Sequence, residues 1–204
     1  MGRIVAVTHL TLDGVMQAPG GLDEDTRDDF RYGGWSPPYG DAVMASSFGP
    51  GTRSDRSEDG GLLFGRRTYI QLHDAWRDRT ANPFTDRLNA AQKYVASNTL
   101  TEPLPWENST LITGDVPRAV TELKRKVLGD LVVIGSGMLL RSLMRHDLVD
   151  ELLMTIHPLI LGAGHRLFPS DGPRIPLKLT ETKPTTTGVI IARYELEDAP
   201  TTPK

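Results

Sequence analysis

The sequence predicts an α/β protein with a central mixed, mainly parallel sheet, flanking helices and antiparallel strands near its C-terminus. Three observations lead to this fold class. Short apolar runs alternate with helical patterns between residues 60 and 145. Two of these runs pass through a glycine directly into a helix, which is typical of parallel βα units. Three strand patterns after residue 150 have no long helix between them, and such strands pair in antiparallel fashion.

The composition narrows the class of protein. The 204 residues suit one domain, which we expect over residues 1–198, with a disordered tail at 199–204. No apolar run reaches the ~18 residues of a membrane span, and the N-terminus has no visible export signal, so we expect a cytoplasmic protein without a membrane partner. The absence of cysteine excludes disulfides, thiolate metal sites and thiol nucleophiles. A net charge of −3 gives no general electrostatic reason to bind nucleic acid.

The first strand is predicted over Ile4–Leu12, where β-branched and apolar residues precede the turn pair Asp13-Gly14. Glycine, proline, serine and aspartate then dominate residues 20–60. A loop of this length inside a compact domain is either functional or contains a helix. We expect one short helix within residues 41–48.

Strand and helix patterns alternate through the middle of the chain. Asp115 is the expected N-cap of a helix, and Lys124, Arg125 and Lys126 are expected on its solvated face near its C-terminus. The expected elements are a strand at 62–64, a helix at 68–76, a helix at 84–91, a strand at 94–97, a strand at 110–113, a helix at 116–127, a strand at 131–134 and a helical pattern at 139–143.

The C-terminal third is expected to hold strands at 152–157, 177–182 and 188–195. Asp147, Asp150 and Glu151 are interpreted as a solvated acidic turn before the first of them.

Gly135-Ser136-Gly137 lies between a buried strand and a helix. A helix N-terminus offers unpaired N–H groups and a partial positive charge, and glycine allows a phosphate to approach the backbone. The alternative is a tight turn that needs positive φ. Leu140 stands where a Rossmann fingerprint needs a small residue, and no P-loop lysine follows.

Gly65-Arg66-Arg67-Thr68 also lies between a strand and a helix. Guanidinium groups bind phosphates bidentately, and a threonine hydroxyl in the first helical turn adds a donor. The alternative is a solvated basic turn. Together the two segments indicate one phosphorylated ligand at the edge of the sheet.

Leu63–Tyr69 resembles the strand-to-helix segment of dihydrofolate reductases. Nearly the whole chain resembles the stand-alone relatives of the C-terminal reductase domain of the bifunctional riboflavin-biosynthesis deaminase-reductase. The further matching segments are Leu12-Asp13-Gly14, Val95–Leu100, Val133–Leu152 and Pro158–Phe168.

This resemblance implies a dihydrofolate-reductase-like three-layer fold, bound NADPH, and hydride transfer to a pyrimidine or pteridine-like heterocycle. It implies that Gly65, Arg66, Arg67 and Thr68 hold the 2′-phosphate and pyrophosphate, and that Ser97 and Asn98 lie near the adenosine. It places the pyrophosphate on Gly135, Ser136, Gly137 and Met138. The relatives also imply a homodimer built on the C-terminal strands.

The proton donor is left open between Asp41, Asp13 and water. Asp41 follows a proline-rich segment, and its alternative interpretation is a helix N-cap. Asp13 lies beside the substrate edge in the resembling fold, although Asp-Gly is first of all a turn.

Three functions remain open. The first is an NADPH-dependent reductase, with 5-amino-6-(5-phosphoribosylamino)uracil of riboflavin biosynthesis as the named candidate substrate. The second is a non-catalytic nucleotide-binding or regulatory protein, and the third is dihydrofolate reductase itself. No metal is expected, because the five histidines lack the i, i+4 spacing of a zinc helix. His9 and His157 are each either packed residues bonded to the backbone or catalytic residues. Trp35 and Tyr39 either stack on a planar substrate or pin their loop to the body of the domain. Gly162–Arg166 forms either a backbone anion nest or a plain glycine-rich turn.

Overall fold

The computed structural model describes residues 1–47, 60–79, 82–168, 170 and 172–197. Its contacts group the chain into two compact units, Met1–Ala6 with Phe48–Leu148 and Val7–Ser47 with Val149–Lys204. The prediction of a single domain over 1–198 stays a prediction, and the tail predicted at 199–204 lies outside the described residues.

The predicted elements are found with shifts of a few residues at their ends. Residues 20–47 add two short 3₁₀ turns to the expected helix. In chain order the elements are β1 (Ile4–Thr11), α1 (Ala42–Ser47), β2 (Gly61–Gly65), α2 (Arg66–Trp76), α3 (Pro83–Ala90), β3 (Lys93–Ala96), β4 (Ser109–Ile112), α4 (Val116–Lys126), β5 (Leu131–Ile134), α5 (Gly137–Met144), β6 (Glu151–His157), β7 (Leu177–Pro184) and β8 (Ile190–Leu196).

The first unit is built from parallel strands. Its strand order is β4-β3-β2-β5-β1, and the pairs β2–β3, β3–β4 and β2–β5 are parallel. Leu131, Val132 and Val133 are at most 5% exposed, as expected for a strand covered on both faces. The Asp115 Oδ1 accepts a hydrogen bond from the Arg118 N–H at 3.1 Å, which confirms the predicted N-cap of α4.

The second unit is antiparallel. There β1 is followed in order by β6, β8 and β7, and β8 pairs antiparallel with both β6 and β7. Because β7 ends the order, it is an edge strand, and residues 178–184 are exposed. Parallel strands in one unit and antiparallel C-terminal strands in the other confirm the predicted α/β class.

Two charged residues differ from the prediction. Lys124 is 7% exposed, and its Nζ donates to the Leu148 carbonyl at 3.0 Å, so this side chain is not solvated. Glu151 is 2% exposed and forms an ion pair with Arg193 of β8. A buried charge is tolerated only with polar partners, and both residues obtain them from segments distant in sequence. No helix among the described residues is both long and apolar enough to cross a membrane.

Candidate functional site

Two glycine-marked strand ends lie side by side in the first unit. Strands β2 and β5 are parallel neighbours, with Leu63 paired to Val133. The two strands therefore end, at Gly65 and just before Gly135, on the same edge of the sheet, where α2 and α5 begin. The carboxyl edge of parallel strands, with helix N-termini above it, is a common place for phosphorylated ligands.

Side chains interlock these two strand ends. The Gly65 N–H donates to the Ser136 Oγ at 3.0 Å, and the Ser136 N–H donates to the Thr68 Oγ1 at 3.2 Å. Gly135 and Ser136 both have left-handed backbone, with φ of 57° and 51°. This conformation is uncommon for serine and persists only where the surroundings impose it. We refer to these four residues as the strand-end lock.

The lock leaves hydrogen-bond donors for a ligand. The hydroxyl oxygens of Thr68 and Ser136 act as acceptors inside it, and neither hydroxyl hydrogen has an acceptor in the described part of the chain. Each hydroxyl can therefore donate outward. The first N–H groups of α2 and α5 have no acceptor within their own helices.

Arg66 and Arg67 supply the positive charge. Both side chains are exposed, and neither forms an ion pair with any described carboxylate. Met138, in the first turn of α5, is 73% exposed. Two free guanidinium groups beside hydroxyl and backbone donors fit the phosphates of a dinucleotide.

Ser97 and Asn98 are committed to local turns of the first unit. The Ser97 Oγ accepts from the Thr99 and Leu100 N–H groups at 3.1 and 3.0 Å. The Asn98 Oδ1 accepts from the Gly114 N–H at 2.7 Å. Both side chains shape the loops after β3 and β4, and their contact with an adenosine stays a prediction.

In the second unit, Asp13 holds a loop. Its Oδ1 accepts from the Thr11 hydroxyl at 2.5 Å and its Oδ2 from the Gly162 N–H at 2.9 Å, while the Leu161 N–H lies 3.3 Å from Oδ1. Partial burial raises the pKa of Asp13, but these hydrogen bonds outweigh it and lower the pKa to about 2. Two consecutive backbone N–H groups of this loop, those of Leu161 and Gly162, thus bind the Asp13 carboxylate, and an anion nest over Gly162–Arg166 stays a prediction.

Asp41 holds another loop. Its Oδ1 caps α1 by accepting from the Met44 N–H at 2.7 Å. Its Oδ2 accepts from the N–H and the hydroxyl of Thr186 at 2.7 and 2.6 Å. The Thr186 hydroxyl and the cap lower the pKa of Asp41. The N-cap interpretation is confirmed, while a role as catalytic acid for Asp41 or Asp13 stays a prediction that these contacts do not support.

Two histidines meet in the second unit. The His9 Nδ1 lies 3.0 Å from the His157 Nε2, 3.1 Å from the Thr155 Oγ1 and 3.3 Å from the Ser36 Oγ. The pKa of both histidines is lowered to about 4, for His9 by burial and for His157 by burial together with the neighbouring His9. Both rings are therefore neutral at physiological pH. We call these four residues the histidine cluster.

Aromatic side chains enclose the inner histidine. Trp35 and Tyr39 make T-shaped contacts with the His157 ring at centroid distances of 5.1 and 5.5 Å. The Trp35 Nε1 donates to the Gln17 carbonyl at 2.8 Å, and Trp35 is 6% exposed. Trp35 therefore pins its loop to the body of the unit, which was one of the two interpretations considered.

Sequence reasoning did not bring His9 and His157 together. The only available signal was that His9 lies in one predicted strand and His157 ends another, and it becomes useful only once β1 and β6 are known to be neighbours. Within the described ranges, no group of three or more histidine, aspartate or glutamate side chains is arranged to hold a metal ion.

Comparisons with known proteins agree with this architecture. A model of the RibD C-terminal domain family matches residues 3–191. The uncharacterized protein YyaP of Bacillus subtilis (strain 168) is 29% identical over 139 residues, which cover 65% of this chain and 72% of YyaP.

Solved structures show the same fold. A provisionally assigned riboflavin biosynthesis protein from Shewanella sp. PV-4 superimposes with a TM-score of 0.71 at 20% identity, covering 96% of this chain and 99% of that one. Dihydrofolate reductase from Enterococcus faecalis, solved with NADP(H), gives a TM-score of 0.61 at 15% identity over 97% and 98% of the two chains. The dihydrofolate-reductase-like fold is therefore confirmed.

Proposed function

Because this chain belongs to the family of the RibD C-terminal domain, we propose that it is an oxidoreductase that uses NADPH to reduce a pyrimidine or pteridine-like heterocycle. The observation that carries the proposal is the strand-end lock with the free arginine pair beside it. This is a site for a phosphorylated ligand that the first unit forms from its own residues. When bound there, NADPH supplies the hydride.

The arginine pair selects the phosphorylated cofactor. NADPH differs from NADH by a 2′-phosphate, which needs positive partners. Arg66 and Arg67 are exposed and form no ion pair with any described carboxylate, so no ion pair in the described part of the chain must break when they bind this phosphate. We assign them to the 2′-phosphate and the lock to the pyrophosphate.

The substrate is assigned to the second unit. The family and the riboflavin name of the Shewanella sp. relative favour a uracil derivative, of which 5-amino-6-(5-phosphoribosylamino)uracil is the most specific candidate. Hydride addition to a C=N bond also needs a proton. Asp13 and Asp41 are both ionised and fixed by donors, so water is the proton source that their contacts favour.

A second candidate is a non-catalytic nucleotide-binding protein on the same scaffold. It is favoured because the carboxylates of both candidate acids, Asp13 and Asp41, already accept hydrogen bonds from neighbouring loops. This candidate predicts NADPH binding without oxidation by any heterocycle.

The first experiment measures cofactor binding by NADPH fluorescence and by thermal stability, with NADH in parallel. We expect NADPH to raise the melting temperature by mass action and Arg66→Ala to weaken NADPH more than NADH. Arg125→Ala is the matched control, because Arg125 is exposed in the last turn of α4, at the opposite end of that helix from the strand carboxyl ends. Equal weakening of both nucleotides would refute the 2′-phosphate assignment.

The second experiment follows NADPH oxidation with 5-amino-6-(5-phosphoribosylamino)uracil and with dihydrofolate. Oxidation with the uracil supports the reductase named above, and oxidation with dihydrofolate alone supports a dihydrofolate reductase. Binding without oxidation supports the regulatory candidate. The proposed homodimer is tested on the same sample by sedimentation velocity.

A further inference from the structure

The histidine cluster has an inner side and an outer side. On the inner side, the His9 Nδ1 faces Thr155, His157 and Ser36. On the outer side, the His9 Nε2 has no hydrogen-bond partner among the described residues, and it is not among the nitrogen and oxygen atoms sealed from solvent. His9 is partly accessible, whereas Thr155 and His157 are fully buried. One ring nitrogen is thus fixed by the protein and the other is left for a ligand.

Thr155 determines which nitrogen of His9 carries the proton. The Thr155 hydroxyl donates its single hydrogen to the Thr8 carbonyl at 3.1 Å, so toward the His9 Nδ1 it can only accept. His9 is therefore protonated at Nδ1 and donates to the Thr155 Oγ1, with the His157 Nε2 as a second acceptor. The outer Nε2 is then a bare acceptor.

The proton of the inner histidine, His157, follows from this arrangement. If the His157 Nε2 accepts from His9, the proton of His157 lies on Nδ1, which is buried and has no partner in the described part of the chain. A buried polar atom without a partner costs stability and is uncommon away from functional sites. The His157 ring thus accepts a hydrogen bond that orients His9, while its own Nδ1–H stays without a described partner.

We propose that His9 contacts the heterocycle that this enzyme reduces, its Nε2 accepting a hydrogen bond from a ring N–H or an exocyclic amino group. This inference rests on the proposed function and narrows the substrate to heterocycles with an N–H donor on the recognised edge. Thr155, Ser36 and His157 are positioning residues that set the tautomer and orientation of His9. The low pKa of His9 keeps this nitrogen an acceptor at neutral pH, because burial disfavours the imidazolium form.

The direct test is a long-range ¹H–¹⁵N spectrum of the histidine rings in the whole chain, with the His9 signals assigned through His9→Gln. We expect the Nδ1–H tautomer of His9 at pH 7. Addition of 6-aminouracil should shift the Nε2 resonance, and its fully N-methylated analogue, which has no N–H donor, should not. An Nε2–H tautomer, an equal response to both compounds or no response to either would overturn the proposal.

Variants test the same contact through affinity for 6-aminouracil. Loss of one hydrogen bond in His9→Leu should weaken binding about tenfold, and His9→Gln, which keeps an acceptor near the position of Nε2, should stay close to wild type. If His9→Leu does not fold, Thr155→Val is compared with Thr155→Ser. Only the valine variant removes the hydroxyl acceptor that fixes the His9 tautomer, so only it should change the tautomer and weaken binding. A His9 tautomer unchanged in Thr155→Val would contradict the positioning role.

NADPH binding on the same samples separates the two proposals. A wild-type protein that fails to bind NADPH but shows the His9 response would break the proposed function and leave the His9 contact standing. The reverse result would break only the His9 contact.

Discussion

The strand-end lock of the first unit and the histidine cluster of the second unit use polar groups in opposite ways. In the lock, backbone N–H groups satisfy two hydroxyl oxygens, and the guanidinium groups of Arg66 and Arg67 beside them have no ion-pair partner in the part of the chain that the structure describes. In the histidine cluster, side chains surround the His9 Nδ1, the buried His157 Nδ1 has no partner among the described residues, and the His9 Nε2 faces outward.

The difference indicates two kinds of recognition. Free guanidinium and hydroxyl groups suit a ligand that brings its own negative charge, since they lose little when it binds. A neutral ring fixed by buried partners suits an uncharged ligand, which is recognised by the placement of one acceptor. The proposed division into a cofactor unit and a substrate unit follows from this chemistry.

Acidification should have the largest effect, and it should act on the histidine cluster. Burial lowers the pKa of His9 and His157 from 6.5 to about 4, so between these values the unfolded chain binds protons that the folded chain does not. The free energy of unfolding should therefore be highest above pH 6.5 and fall toward pH 4, by ~3 kcal/mol for one such histidine. Urea unfolding across this range measures it. His157→Gln should reduce the dependence of the unfolding free energy on pH. An unchanged dependence would show that His157 is not held in its neutral form by burial.

Removal of both arginines should have the next largest effect, on the cofactor unit. Two charge-assisted hydrogen bonds to a phosphate contribute about 1.5–3 kcal/mol each, so Arg66→Ala with Arg67→Ala should weaken NADPH binding by at least about a hundredfold and leave NADH binding almost unchanged. Isothermal titration calorimetry with NADPH and with NADH gives the ratio of variant to wild-type dissociation constants for each nucleotide. The double variant should unfold at the same temperature as wild type without ligand, because neither side chain has a described ion-pair partner.

Asp13→Asn should affect stability more than catalysis. The amide group places a donor where a carboxylate oxygen now accepts from Leu161 or Gly162, and a lost hydrogen bond to a charged group costs about 2 kcal/mol. Thermal unfolding and kcat are measured on one preparation. A normal melting temperature with abolished kcat would reverse the interpretation and make Asp13 the catalytic acid.

Ser136 should give the smallest effect. Ser136→Ala leaves the Gly65 N–H without its acceptor and keeps the left-handed strain, for a loss of about 1 kcal/mol. Ser136→Gly loses the same acceptor but relieves the strain, so it should be the less destabilising change. Chemical unfolding of the two variants tests the order, and a more stable alanine variant would show that the backbone at this position is not strained.

Local patterns predicted most of the fold. The apolar run Leu131–Ile134 and the glycines after it determine a strand and a turn within a few residues, so β5 and the start of α5 were predictable. The capping role of Asp115 was visible for the same reason.

The site was less predictable, because its decisive contacts join residues distant in sequence. His9 and His157 are 148 positions apart, and the strand-end lock joins residues separated by about 70 positions. Glu151 was misread as solvated because its partner lies on β8. No sequence window contains such pairs, and they appear only once the order of the strands is known.

The edge strand β7 has a consequence for how molecules of this protein meet at high concentration. Its exposed residues include Lys178, Glu181 and Lys183, and it ends at Pro184, which has no N–H to offer a further strand. Charges and proline on an open edge oppose the addition of a strand from another chain. This edge therefore disfavours the growth of continuous sheets between crowded molecules.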